Sequence, residues 1–173
     1  MAYKYSFDAD PGRSAKALLR AAPISAKHAV EVCRDLRGRR LEVAMKRLED
    51  VIALRAPIAF KRYRHDVPHR KGHMAAGRFP VKASKHILDL LKAVNANAQE
   101  RGLSTADLVV THLSPKMAAR PYHPGRHVRR KMKRTNVEVV VTQAEAPKQT
   151  EKVARKRTER VKEPARPAKG ETA

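Results

Sequence analysis

The sequence predicts an α+β domain, with three helices packed on a small antiparallel sheet and one long extended β-hairpin. Three observations predict it. Apolar residues recur at helical spacing in three stretches, near 25–37, 41–54 and 81–101. Two β-branched runs, Leu108-Val109-Val110-Thr111-His112-Leu113 and Val137-Glu138-Val139-Val140-Val141-Thr142, flank a basic segment at 115–135. From Ala144 onward the chain is Glu, Lys, Arg, Pro, Ala and Thr with no aromatic residue, a composition that cannot bury a core. The expected division is therefore a globular domain at 1–143, including the hairpin at 108–142, and a disordered charged tail at 144–173.

The elements follow in order. Residues 3–12 read as a short polar lead-in that ends in the turn Asp10-Pro11-Gly12. Residues 15–22 suit helix or strand by composition. Their shortness and the stop at Pro23 favour a strand. Ser25 has the character of an N-cap, Ala29, Val30, Cys33 and Leu36 repeat at helical spacing, and Gly38 sits where a left-handed cap is expected. Leu41, Ala44, Leu48 and Val51/Ile52 form the stripe of a second helix, and Pro57 ends the pattern. Residues 58–80 lose all periodicity and read as a loop rich in Gly, Pro and cations, among them Lys61, Arg62, Arg64, Arg70, Lys71 and Arg78. The third helix places Ile87, Leu90, Leu91, Val94 and Ala98 on one face, and Gly102 closes it.

The hairpin carries the functional signal. About twenty residues between two strands exceed an ordinary hairpin loop, so the segment is functional or disordered. It contains Lys116, Arg120, Arg126, Arg129, Arg130, Lys131, Lys133 and Arg134 and no acidic residue. If its two arms continue the strands, roughly ten residues each at ~3.3 Å would carry the tip ~30 Å from the sheet. Such an arm has almost nothing apolar to bury, and an isolated hairpin is marginal in water. A polyanion is the partner that would hold it. A formal net charge of +22 over 173 residues points the same way.

Four Tyr, three Phe and no Trp are few for a reader that stacks single-stranded bases. Folded or double-helical RNA, held through phosphate and shape, suits the composition better. Arg and Lys of both basic patches are the candidate contacts, because they give phosphate charge-assisted hydrogen bonds. A membrane partner finds no support, since no apolar run approaches ~20 residues and the start has no apolar signal core. Cys33, the sole cysteine, excludes disulfides within the chain, suggests a reducing interior and falls on a buried helix face as a core thiol.

Catalysis finds little footing. His65, His69 and His73 recur every four residues, but Pro68 and Gly72 interrupt any helix that would align them on a metal. They read as polar loop histidines. Glu42, Glu49, Asp50, Asp89 and Glu100 fall on helix faces, where solvated ion pairs are the ordinary explanation. Asp66 adjoins His65 with no serine or cysteine nearby, and no phosphate-cradling glycine motif occurs. No enzyme, no metal and no cofactor are expected. A free nucleic-acid-binding regulator or nucleoid protein is the alternative to an RNA scaffold protein.

Several motifs carry a family resemblance. They are Tyr5-Ser6-Phe7-Asp8, Ile24-Ser25-Ala26-Lys27-His28-Ala29 with Leu36-Arg37-Gly38, and Phe60-Lys61-Arg62-Tyr63. Gly77-Arg78-Phe79-Pro80 with Lys82-Ala83, Asn95-Ala96-Asn97-Ala98 with Gly102-Leu103, and Gly125-Arg126 follow in the same order. Over residues 3–143 the chain resembles, in its archaeal form, the universal large-subunit ribosomal protein of the polypeptide exit tunnel (number twenty-two in bacterial naming, seventeen in eukaryotic naming). The resemblance implies a cytoplasmic, ribosomal location, binding to 23S-type rRNA beside neighbouring large-subunit proteins, and a role in assembly. It further implies that the hairpin lines the tunnel, its tip Arg120, Pro121, Tyr122, His123, Pro124, Gly125 and Arg126 touching the nascent polypeptide. Bacterial tips carry a more regular run of Arg, Ala and Gly, so Pro121 and Pro124 set this tip apart.

Overall fold

The computed structural model describes residues 3–71, 74–126 and 128–144. The tail expected at 144–173 lies outside the described residues beyond Ala144. The main sheet has the order β1-β6-β5, built from β1 (Ser14–Ala22), β5 (Leu108–Met117) and β6 (Thr135–Gln143). Both pairings are antiparallel, so the last strand of the domain lies in the middle. Ser14 faces Thr142 and Leu19 faces Val137 on one side, while Val110 faces Val141 and Leu113 faces Val139 on the other. The free side of β5 is closed by the chain at 38–40. Gly38 donates to the Val110 carbonyl at 2.9 Å and Val110 donates to the Arg39 carbonyl at 2.9 Å. This covers the start of the β5 edge, around Val109 and Val110.

Three helices cover one face of the sheet. α1 (Ala26–Leu36) starts after Ser25, whose backbone is extended as expected of a cap, although its side chain makes no capping bond. α2 (Leu41–Ile52) stops two residues earlier than its apolar pattern predicts, because Leu54 turns left-handed at φ +60°. α3 (Val81–Glu100) runs almost as expected, and Gly102 at φ +71° reverses the chain after it. Leu36, Leu48, Ile87, Leu91, Leu108 and Leu113 are fully buried among Val137, Val139 and Val141 to form one core. Cys33 belongs to it, and burial pushes its thiol up to about 12, which leaves it an inert core group.

Residues 58–80 depart from the expected loop. β2 (Ile58–Ala59), β3 (His69–Arg70) and β4 (Met74–Arg78) form a second antiparallel sheet of order β2-β4-β3. Two of its strands are only two residues long, too short to show periodicity in sequence. Ile58, Phe60 and Val67 are buried beneath it. Gly77 leaves room for the side chains of Met74 and Arg70, since a Cβ there would lie 2.7 Å from Met74 Sδ and 2.9 Å from Arg70 Cγ. His65 lies in a turn and His69 on β3, so the four-residue spacing does not bring them onto a helix face; His73 lies outside the described residues.

The hairpin is present, but its ladder ends at Met117 and Thr135. Beyond that point the two arms of 118–134 touch through separate bonds. Ala118 donates to the Arg134 carbonyl (3.1 Å), Met132 to the Pro121 carbonyl (2.8 Å) and His123 to the Arg130 carbonyl (2.8 Å). Pro121 and Pro124 have no N–H to donate, which prevents the continuous strands assumed in the sequence reading. Gly125, at φ +90°, makes the turn at the tip.

Candidate nucleic-acid interface

The first basic patch is organised by a buried carboxylate. Glu31 of α1 is 1 % exposed and accepts backbone N–H groups from Lys61 (3.2 Å), Arg62 (2.9 Å) and Tyr63 (2.7 Å). With those three donors satisfied, the side chains of Lys61 and Arg62 stand outward. Tyr63 lies between two cations, with Lys27 Nζ 5.7 Å and the Arg62 guanidinium 5.4 Å from its ring centre. Arg64 adopts φ +57°, a left-handed conformation unusual for a residue with a Cβ. Arg70 lies over the Phe79 ring at 5.5 Å and donates to the Gly77 carbonyl at 3.3 Å. Lys71 sits in the following turn and Arg78 ends β4.

A second buried carboxylate fixes the root of the hairpin. Glu138 of β6 projects from the face opposite the helices and is 1 % exposed. It receives bonds from Ser6 Oγ, the Ser6 N–H (3.3 Å) and Tyr3 OH (3.3 Å), and pairs with Lys116 Nζ at 3.1 Å and His112 Nε2 at 3.3 Å. Burial pushes this carboxyl up, but the bonds from Ser6, Lys116 and His112 outweigh it and hold the group at about 2. The lead-in at 3–8 is thus a strap across the outer face of the sheet. Phe7 stacks on His112 at 5.3 Å, Tyr3 meets Tyr5 edge-on at 5.3 Å, and Val140 is fully buried on that side. The sequence reading treated the lead-in as merely polar. Aromatic residues at alternating positions 3, 5 and 7, and one glutamate inside a valine run, were the signals of this packing.

The arm itself buries nothing: among the described residues from Ser114 to Arg134, none is buried. Arg126, Arg129 and Arg130 stand exposed around the tip, and Lys131 lies 5.0 Å over the Tyr122 ring, itself 58 % exposed. Arg120 donates across the arm to the Met132 carbonyl (3.2 Å), and Arg134 donates to the Ala21 carbonyl (3.3 Å) at the root. Lys116 is held by Glu138. Arg64 of the first patch meets Arg120, Lys133 and Arg134 of the second around one cleft beside the start of α1. The two patches are therefore continuous there. Among the described residues no cluster of His, Cys, Asp or Glu has metal-binding geometry, and no helix is long and apolar enough to cross a membrane.

Comparison with known proteins decides the family. The pattern described as ribosomal protein L22p/L17e matches residues 17–142, from β1 to β6. The chain belongs to the ribosomal L22p/L17e family. A protein of Methanocaldococcus jannaschii named large ribosomal subunit protein uL22 is 47 % identical over 113 residues, covering 64 % of this chain and 72 % of its own. The Methanococcus vannielii protein of the same name is 46 % identical over 112 residues, covering 64 % and 73 %. That of Archaeoglobus fulgidus is 46 % identical over 105 residues, covering 60 % and 68 %. These relatives are archaeal, as the motifs of this L22p/L17e member imply. In this L22p/L17e chain, the strap at 3–8 lies before the matched segment.

Proposed function

We propose that this chain is a non-enzymatic, structural component of the large ribosomal subunit that binds 23S-type rRNA beside neighbouring large-subunit proteins and aids their assembly. Its arm at 118–134 lines the path of the nascent polypeptide, with Arg120–Arg126 at the tip. Family membership supports the ribosomal part. One observation carries the RNA-binding part: the arm presents Arg120, Arg126, Arg129, Arg130, Lys131, Lys133 and Arg134, no acidic residue and, among the described residues, no buried side chain. A segment with that balance has no apolar core of its own to order it, only cross-arm bonds. A polyphosphate backbone supplies both the counter-charge and the walls. Lys61, Arg62, Arg64, Arg70, Lys71 and Arg78 extend the same contact over the second sheet, and Lys116 adds its charge at the root.

Sedimentation of cell lysate tests the reading. The chain is expected to migrate with the large subunit and to remain there after a high-salt wash, because interdigitated contacts outlast screening. Deleting 116–134 is expected to stall incorporation while the helical body stays folded. Normal incorporation of that deletion would overturn the assignment of the arm. Release by the wash, or migration at the top of the gradient, would favour a free nucleic-acid-binding regulator.

A further inference from the structure

A cleft of about 350 Å³ opens where the arm leaves the body. Its charged wall comes from chain segments far apart in sequence: Lys27 of α1, Arg64 of the loop between β2 and β3, and Arg120, Lys133 and Arg134 of the arm. None of these five makes an ion pair with a carboxylate among the described residues, and no acidic side chain lines the cleft. An apolar wall consists of Ile24, Ala26 and Met117, and Met117 is 68 % exposed, an unusual place for a thioether amid cations. His28 also lines the cleft, edge-on to Phe60 at 5.5 Å. Burial, then the charges of Arg64, Lys133 and Arg78, lower its pKa.

The two walls call for different parts of one ligand. Phosphate alone would use the cations and leave Met117 against water. A paired helix presents phosphates and sugars but no free base face. The volume is at the small end of the ~300–1,000 Å³ range of pockets for small organic groups, the size of a single nucleotide. Sulfur packs well against an aromatic ring. The backbone around the cleft is also fixed in unusual conformations. Arg64 is left-handed, and Ala21 at φ +46° is held by its N–H to Asn136 Oδ1 (2.7 Å) while its carbonyl takes Arg134.

We propose that this cleft receives one unstacked nucleotide of the bound RNA, its base against Met117 and its phosphate on Arg64, Lys133 and Arg134. The proposal rests on the RNA-binding reading above and adds a specific recognition mode to it. Phosphate contacts along the arm position the protein, whereas a cleft of this kind selects a particular extruded base.

The test uses large subunits assembled with the wild-type, Met117→Ala or Met117→Leu full chain, probed by acylation of RNA 2′-hydroxyls. One nucleotide is expected to change reactivity by about five-fold or more in Met117→Ala, the factor expected for losing one stacked base, and to recover in Met117→Leu. Subunits that incorporate Met117→Ala with an unchanged reactivity pattern would overturn the cleft while leaving the RNA-binding reading intact. Failure of the wild-type chain to enter subunits would instead overturn that reading itself. Titration of the free chain with adenosine and uridine 5′-monophosphates separates the source of the ligand. Millimolar or weaker binding fits a nucleotide supplied by RNA, and micromolar saturation would overturn the RNA source in favour of a free nucleotide.

Discussion

The chain has two basic regions, 58–78 and 118–134, and they are held in opposite ways. The first carries its own anchors. Glu31 accepts three consecutive backbone N–H groups, Ile58, Phe60 and Val67 are buried, and three short strands connect them. The second has no acid and, among the described residues, no buried residue and only a few cross-arm bonds. Cationic surface folds unaided when one buried carboxylate and a few apolar side chains stand beneath it. Without them, order must come from an external anion.

The largest effect expected from breaking this contrast is on RNA affinity. Replacing 118–134 by a two-residue turn removes seven cations, and on a rule of ~0.7–0.9 per phosphate contact the slope of log K against log salt should fall by up to about 5–6. The thermal midpoint of the body should move by less than about 2 °C, since no buried group is lost. A collapse of the body in circular dichroism would show that the arm contributes to the core after all.

Removing the anchor of the first region should do the reverse. Glu31→Ala leaves three N–H groups without their acceptor and should cost about 3 kcal/mol in urea denaturation, while the arm is untouched. Faster hydrogen exchange at the amides of Lys61, Arg62 and Tyr63 would localise the loss.

Glu138 sharpens the comparison by pH. Its carboxyl is held at about 2 in the fold against 4.5 for a free glutamate, so the folded pKa is depressed. The stabilisation is present above pH 4.5 and is lost as pH falls towards 2; it amounts to about 3 kcal/mol at neutral pH. In Glu138→Gln this part of the acid sensitivity should vanish, read as the difference in urea midpoint between pH 3 and pH 6. An unchanged difference would remove Glu138 from the account.

The smallest effect is expected in the core. Ser84 of α3 has a fully buried hydroxyl with no hydrogen-bond partner among the described residues, so Ser84→Ala should be neutral or stabilise by up to about 1 kcal/mol.

These contrasts also explain what could be read from the sequence. The helices were legible because Leu41, Ala44, Leu48 and Val51, or Ile87, Leu91, Val94 and Ala98, each form one stripe, and these residues are buried. The strand at 14–22 followed from Pro23 and from its shortness. The second sheet was not legible, because two of its strands are two residues long and the third, Met74-Ala75-Ala76-Gly77-Arg78, has no β-branched residue and no alternation. Missing it also concealed Glu31, which lies off the apolar stripe of α1 and is buried only because 60–63 folds over it. The cations of the arm were visible as a charge run. Their meeting with Arg64 and Met117 in one cleft depends on tertiary placement that no local pattern encodes.

The position of β6 in the middle of its sheet has a consequence for synthesis. Until Thr135–Gln143 has been made, β1 and β5 have no strand to pair with, and their partners lie as far as about 130 positions along the chain. No partial product ending before Thr135 can therefore close the main core, and most of the cations are translated before the body can fold. The main sheet closes only after its central strand appears, and a newly made chain is open, basic and adhesive for most of its synthesis.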